Sequence, residues 1–448
     1  VPDLATTVDA LMPAVIADLT ALVAIESISS LPDHAGEVER SAHEVARLLT
    51  EAGCPEVEVV AVPGGRPAVL GHFPAPEGMP TVLLYAHHDV QPTGDPQAWT
   101  SAPFAATERD GRLYGRGTSD DKGGIAVHLA ALRAFDGRPP VGVKLFIEGE
   151  EEVGSPAMGD FLATYGDRLA ADLVVICDSA NWAVGVPSFT TTLRGLADCV
   201  IEVATLDHPL HSGGFGGVAP DALTALCRLI STLHDDQGNV AVAGLGRTTA
   251  AELEYPEDRL RAESGVLDGV DYLGDGPVVE RLWTRPAISV LAIDATRVAD
   301  ASNTLTASAR AKISLRVAPG DRAVDALDRL VEHLESHAPW GSRVTVTRGD
   351  TGDPSTVPTD GPYARLAAEV FGEAFGQPVA EIGQGGSIPM VAALQERFGD
   401  AEILLTAVGD PDTRAHGIDE SLHLGDLRRA CLAEALLLAR MGESRTVG

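Results

Sequence analysis

Positive charge is scarce in this chain. Against 65 Asp and Glu stand 33 Lys and Arg, a formal net charge of −32. Only three of those basic residues are lysines, Lys122, Lys144 and Lys312. So acidic a surface repels nucleic acid and anionic membrane, and neither is expected as a partner. The acidity itself reads as a solubility setting. The rarity of lysine sets Lys122, two residues from Asp120, apart from the background. Cysteine is scarce too: Cys54, Cys177, Cys199, Cys227 and Cys431 are odd in number and show no C-x-x-C spacing. That excludes a disulfide framework or a zinc knuckle and leads us to expect a reducing, cytoplasmic setting. No uninterrupted apolar run approaches ~18 residues, and no basic head precedes an apolar core near Val1, so no membrane span or secretory leader is expected. Internal repeats and low-complexity stretches are missing. So are both glycine-rich nucleotide signatures, G-x-G-x-x-G and G-x-x-x-x-G-K-[ST].

What is present is length and alternation. A chain of 448 residues exceeds the size at which one core keeps growing, so two domains are expected. Apolar spacing predicts helices over 3–23 and 37–52. Strands follow at 57–62, 67–73 and 81–86, the last so continuously apolar that it reads as buried on both faces of a parallel sheet. Helix 123–135, strand 143–147, helix 156–169 and strand 173–177 continue an α/β pattern with right-handed crossovers. Near residue 190 the texture changes. A long β-type stretch at 191–205, a helix at 220–235, strands at 287–293 and 308–317 and a helix at 322–337 suggest a smaller α+β domain. After a loop at 349–362, a helix at 363–375 and a strand at 402–408 restore the first texture. The economical organisation is a domain of 1–190 and 358–448, interrupted by an inserted domain of 191–357.

Several strands end on acids or imidazoles, the edge where α/β sheets gather ligands. His87 follows the strand 81–86, and Asp89 lies two residues on. An imidazole that binds a metal usually donates its second N–H to a carboxylate, so His87 takes the metal and Asp89 the supporting place. His88 points the other way and is read as structural. In LYGRGTSDDKGG (113–124) two adjacent aspartates suit a cation better than a phosphate. Asp120 is read as held between two metal ions, and Asp121 alone would serve as an acid at a helix N-terminus. In EGEEEVGS (148–155), Glu151 and Glu152 can divide two tasks, one binding metal and one taking a proton from water. Asp178 ends the run VVICDS, and RAHGIDE (414–420) supplies His416. Taken singly, each segment has a bland reading as a turn, a cap or a solvated face. Together, in this order, they point to a two-metal hydrolase.

These segments resemble the M20 family of metallopeptidases, which includes carnosinase-like dipeptidases, aminoacylases and desuccinylases; the likeness runs from YAHHDV (85–90) to AHGIDE. It implies a zinc-peptidase-like α/β catalytic domain with an inserted smaller α+β lid and dimerisation domain. It implies that His87 and Asp178 bind one metal, Glu152 and His416 the other, and that Asp120 bridges them. Glu151 matches the general base and Asp89 the support of the first histidine, and a cis peptide is expected at Asp120–Asp121. In the insert, LHSGGFGG (210–217) places His211 as a residue that reaches a partner subunit's active site. Asn303, Arg316, Gly385, Gly386 and Ser387 match positions that bind the substrate's carboxylate end. The resemblance thus implies a homodimer through the insert and two divalent ions per subunit, zinc first, with manganese or cobalt as alternatives. The reaction expected is hydrolysis of L-dipeptides, with N-acyl amino acid deacylation as the nearer alternative and a non-catalytic amino-acid binder as the more distant one. Two positions depart from the family pattern: Ala86 stands where glycine often precedes the histidine, and 360–363 lacks a histidine that some carnosinase-like members carry.

Overall fold

A computed structural model describes residues 3–250, 253–386 and 389–443. The chain divides into two compact units, one of Val1–Thr191, Val357–Ile382 and Met390–Gly448, the other of Thr192–Thr356 and Gly383–Pro389.

The first unit is built on a six-stranded sheet in the order Glu56–Val60, Ala68–Phe73, Gly142–Glu148, Thr81–His87, Leu173–Ile176, Glu402–Leu405. The first two strands pair antiparallel with each other, and the second of them, Ala68–Phe73, pairs antiparallel with Gly142–Glu148. The remaining four run parallel. Val82, Leu83, Leu84, Tyr85 and Ala86 are all fully buried, as expected of a central parallel strand covered on both faces. Register aligns His87 with Glu148 and Tyr85 with Ile176, so these strands end at one edge. The helix Leu4–Val23 is long and apolar enough to cross a membrane by length and composition. Its Leu4, Val8, Val15, Leu19, Leu22 and Val23 belong to the main hydrophobic core. Lys122 is buried and turned inward, its Nζ donating to the carbonyls of Leu22 and Ile25 at 2.9 and 2.8 Å. All five cysteines are free, four buried and Cys227 exposed.

The second unit carries a four-stranded antiparallel sheet, Ala287–Asp294, Ser308–Val317, Gly195–Ala204, Arg343–Gly352. Alternation sorts its two faces. Ala197, Cys199, Ile201 and Val203 join Ile313, Leu315 and Val317 in a core with the helices Ala222–Ser231 and Ala323–Ser336. The alternate residues, among them Lys312 and Arg316, occupy the other face. Two details differ from the sequence reading. The stretch 191–205 is two strands, Ser188–Leu193 and Gly195–Ala204, broken at Arg194. Residues 343–352, read partly as loop, form an edge strand whose register shifts between Arg348 and Thr351.

Candidate metal centre and its supports

The edge of the parallel strands brings the first unit's chemistry together. His87 ends one strand, Glu151 and Glu152 form a turn just past Glu148, and Asp178 lies two residues beyond Ile176. Asp120 precedes the helix Lys122–Arg133, whose N-cap is Asp121, with its carboxylate accepting from the Gly124 N–H. The Asp120–Asp121 peptide is cis. His87, Glu151 and Asp178 present ligand atoms all within 4.8 Å of one another, as do His87, Asp120 and Glu152. Asp120 turns one oxygen to each imidazole: Oδ1 lies 3.1 Å from His87 Nε2 and Oδ2 lies 3.0 Å from His416 Nε2. His416 Nε2 is also 3.1 Å from Glu152 Oε2. Asp178 Oδ1 and Glu151 Oε2 stand 3.8 and 4.0 Å from His87 Nε2. His87 is fully buried, whereas His416 lies on the surface of its loop with φ at 62°.

Charge at this site is unbalanced. Asp89, Asp120, Glu151, Glu152 and Asp178 face two imidazoles, and even with both imidazoles protonated three negative charges are left over. Crowding shows in the acidities. Burial, reinforced by the carboxylates of Glu152, Asp120 and Asp89, pushes Glu151 up to about 7 against the opposing pull of His87. Asp178 is raised well above the usual carboxylate range by burial and by the carboxylates of Asp120, Glu151 and Glu152, against the pull of His87. For Asp120 burial works upward too, but hydrogen bonds from His416 and His87 outweigh it and hold the group well below that range. The Asp120 and Glu152 carboxylates raise His416 to about 10. Carboxylates paired with neutral imidazoles form the donor set that divalent cations take, and a cation is what would relieve the repulsion. The residues fit a pair of such ions.

Supports surround the donors. The Nδ1–H of His87 donates to the Asp89 backbone carbonyl at 3.1 Å, with the Asp89 carboxylate at 3.3 Å. Nε2, which donates to Asp120 at 3.1 Å, would give up its proton and turn its lone pair to an ion bound there. Asp89 does more than support His87, for its two oxygens also accept the backbone N–H groups of Glu151 and Glu152, each at 3.2 Å. His88 faces away, donating through Nε2 to the Pro67 carbonyl at 2.9 Å; burial depresses it to about 4, which keeps it neutral. The same crowding explains the glycine in EGEEE: a Cβ at Gly149 would stand 2.2 Å from the Pro67 carbonyl oxygen and 2.8 Å from His88 Nε2. Two supports escaped sequence reasoning. Glu420, fully buried, accepts the N–H groups of Gly117, Ser119 and Asp120 and binds Arg116 Nη1 at 2.6 Å. Gln91 holds Glu152. Their partners lie 61 to 304 positions away, so no local spacing marks them.

The remaining candidates belong to the second unit. His211 is exposed at the start of the short helix Ser212–Phe215, its Nδ1 accepting the Gly213 N–H at 3.0 Å. The Nε2 proton is therefore free to donate outward. Asn303 is exposed beside it, and its carbonyl accepts the Ser212 N–H at 2.9 Å. Arg316 is half-buried on the outer face of the sheet, in register with Leu196. Arg194, which sequence reasoning passed over, lies two residues from Leu196 and is buried, with its Nε unpartnered. Burial and the Arg316 charge lower it to about 10. A Cβ at Gly385 would meet Arg194 Nη2 at 2.7 Å, whereas Gly386 faces open space. Ser387 lies outside the described residues.

Comparison with known proteins agrees with this arrangement. The family described as peptidase family M20/M25/M40 matches residues 83–440. A cysteinylglycine-S-conjugate dipeptidase of Corynebacterium striatum is 36% identical over 435 residues, covering 95% of both chains. A human Beta-Ala-His dipeptidase is 26% identical over 435 residues, covering 90% of this chain and 85% of its own. Among solved structures, human carnosine dipeptidase 1 superposes with a TM-score of 0.82 at 25% identity, covering 98% of each chain. The Saccharomyces cerevisiae dipeptidase Dug1p gives 0.83 at 23% identity, covering 99% of this chain and 98% of its own. With four-fifths of its length matched and donors gathered at one sheet edge, the chain belongs to peptidase family M20/M25/M40.

Proposed function

We propose that this protein hydrolyses the peptide bond of L-dipeptides with the help of two divalent cations, zinc first and manganese or cobalt as alternatives. The observation that carries the reading is the convergence of five carboxylates and two imidazoles at the strand edge. Family membership and the dipeptidase relatives support it. We assign His87 and Asp178 to one ion, Glu152 and His416 to the other, and Asp120 to both. Bound there, the ions supply an activated water and a polarised scissile carbonyl.

The chain's own groups do the rest. Glu151, raised toward neutrality and close to His87, takes the proton of the attacking water and delivers it to the departing amine. Asp89 keeps the His87 ring and the Glu151–Glu152 backbone in place. His211 donates a hydrogen bond from its Nε2–H to the oxyanion. Asn303, Arg316 and the glycine loop at Gly385, Gly386 and Ser387 hold the substrate's free carboxylate, for which a guanidinium offers bidentate geometry.

We further propose a homodimer through the second unit. Val290, Leu291 and Ile293 are exposed on its edge strand Ala287–Asp294, and Phe215 and Val218 are exposed just past His211. An apolar, unpaired edge of this kind is normally covered by another chain. We place the protein in the cytoplasm, in keeping with its five free thiols.

Metal analysis combined with a substrate panel tests the whole reading. Cysteinylglycine-type dipeptides head the panel, because the relative at 36% identity is a dipeptidase for such conjugates. Other dipeptides follow, then N-acetyl and N-succinyl amino acids. Chelator-sensitive turnover confined to the dipeptides is expected. Turnover confined to N-acyl amino acids would make the protein a deacylase instead.

A further inference from the structure

His87, Asp89 and Gln91 alternate along the segment that leaves the strand Thr81–His87, and all three address the turn at Glu151–Val153. His87 Nε2 stands 4.0 Å from Glu151 Oε2, and Asp89 accepts both backbone N–H groups of the turn. Gln91 makes the third set of contacts. Its backbone N–H donates to Glu152 Oε1 at 3.1 Å, and its side-chain Nε2 donates to Glu152 Oε2 at 2.9 Å and to the Glu152 carbonyl at 3.0 Å. The amide is oriented without ambiguity, since both of its partners only accept. Gln91 is itself anchored on either side. The Val90 N–H donates to the Ser27 carbonyl at 3.0 Å, and the Pro92 carbonyl accepts from Arg116 Nη2 at 3.1 Å.

The choice of an amide matters. A lysine or arginine at 91 would hold Glu152 as firmly but would cancel the negative charge that a cation needs. A glutamate would repel it. An aliphatic residue would keep only the backbone N–H bond to Glu152 Oε1 and leave the rest of the carboxylate's ordering to the incoming ion, at an entropic cost. A neutral donor orients without neutralising. Each Glu152 oxygen gives Gln91 one lone pair and keeps the other. We infer that Gln91 is a positioning residue that pre-orders Glu152 for cation binding, and so sets the affinity of the Glu152–His416 ion while leaving the His87–Asp178 ion alone. This rests on the two-ion reading above.

The test uses the full chain stripped of metal and titrated with Co²⁺, followed by calorimetry and by the cobalt absorption bands. The wild type should take up two ions. Gln91→Leu should weaken one binding event by about 10–100-fold and leave the other unchanged; kcat/KM should fall in parallel and recover at high Co²⁺. Gln91→Glu, nearly the same size, should weaken that event further, and it decides the matter if the leucine variant fails to fold. Equal weakening of both events, or of neither, would overturn the role of Gln91 even while the wild type binds two ions and turns over. A wild type that takes up only one ion would instead sink the two-ion reading and this inference with it.

Discussion

Around His87 five carboxylates crowd two imidazoles, all but His416 largely out of water, whereas on the second unit's sheet cations and acids meet one to one. On its outer face Arg310 pairs with the exposed Asp294 and Lys312 with the buried Asp198, and on the helix side of the edge strand Arg348 pairs with the exposed Asp328. The exposed pairs contribute little and ask for nothing more. Arg316 on the outer face and Arg194 just before the strand Gly195–Ala204 are the exceptions: among the described residues neither has an acid partner, and Arg194 Nη1 donates only to the carbonyls of Arg281 and Arg285. Each unit therefore holds a local imbalance of opposite sign, excess carboxylate in one and guanidinium without an acid partner in the other. The excess carboxylate is what a cation needs, and that guanidinium is what a substrate carboxylate needs. The first unit's groups are already held in place by buried hydrogen bonds, while His211 and Asn303 in the second stand exposed.

The sharpest way to break this contrast is to remove the proton carrier without disturbing the donors. Glu151→Gln is expected to keep both ions and lose about 10²–10⁴-fold in kcat, checked by metal content and steady-state rates on one preparation. Near wild-type turnover would take Glu151 out of the base role. Glu420→Ala should cost about 3–5 kcal/mol of stability, because it leaves the Arg116 guanidinium buried without its partner. Three N–H groups of the Asp120 loop lose their acceptor as well. Chemical denaturation reads the loss; an unchanged midpoint would mean that this loop is held by other contacts. His211→Ala should lower kcat by the equivalent of about 2.7–4 kcal/mol with ion uptake intact, which separates the second unit's contribution from the first's.

Legibility in the sequence follows the same division. His87, Glu151, Glu152 and Asp178 could be read because each sits at or just past the end of a short apolar run, and Asp120 because two adjacent aspartates in a Gly-rich turn open a helix. His416 lies in a loop, where only its residue type in RAHGIDE marked it and the resemblance gave it a role. Gln91 and Glu420 were invisible because their meaning depends on partners that only folding brings near. Residues 349–352 resisted for another reason. Gly and Asp are poor strand formers, and GDTG reads as a turn, yet an edge strand with a register shift accommodates it. The strand Ala380–Gln384 and the helices Pro389–Arg397 and Leu424–Glu443 were not marked at all. The last of these carries eleven buried residues spread around most of its circumference, and a helix buried on several sides loses the one-faced pattern that a sequence reading looks for.

Inside the first unit one imbalance that never arises provides a control. His128 and Glu434, both buried, pair one to one at 2.9 Å, and the second ring nitrogen of His128 donates to the Tyr85 carbonyl at 3.0 Å. Burial pulls the His128 value down, but the Glu434 carboxylate and the Tyr85 carbonyl outweigh it and leave it raised. A raised folded value means that protonation favours the folded state. This contribution is complete below the unfolded histidine value of about 6.5, and it fades as pH climbs through the higher folded value. Each pH unit between the two values corresponds to about 1.4 kcal/mol. The stability gap between wild type and His128→Gln, followed by denaturation from pH 5.5 upward, should therefore be widest at the acid end and shrink with rising pH. A gap that held constant or grew would mean that the pair is neutral in the folded protein. The same imidazole and carboxylate would then be a hydrogen bond rather than an ion pair, and the contrast with the acid-rich site would rest on geometry alone.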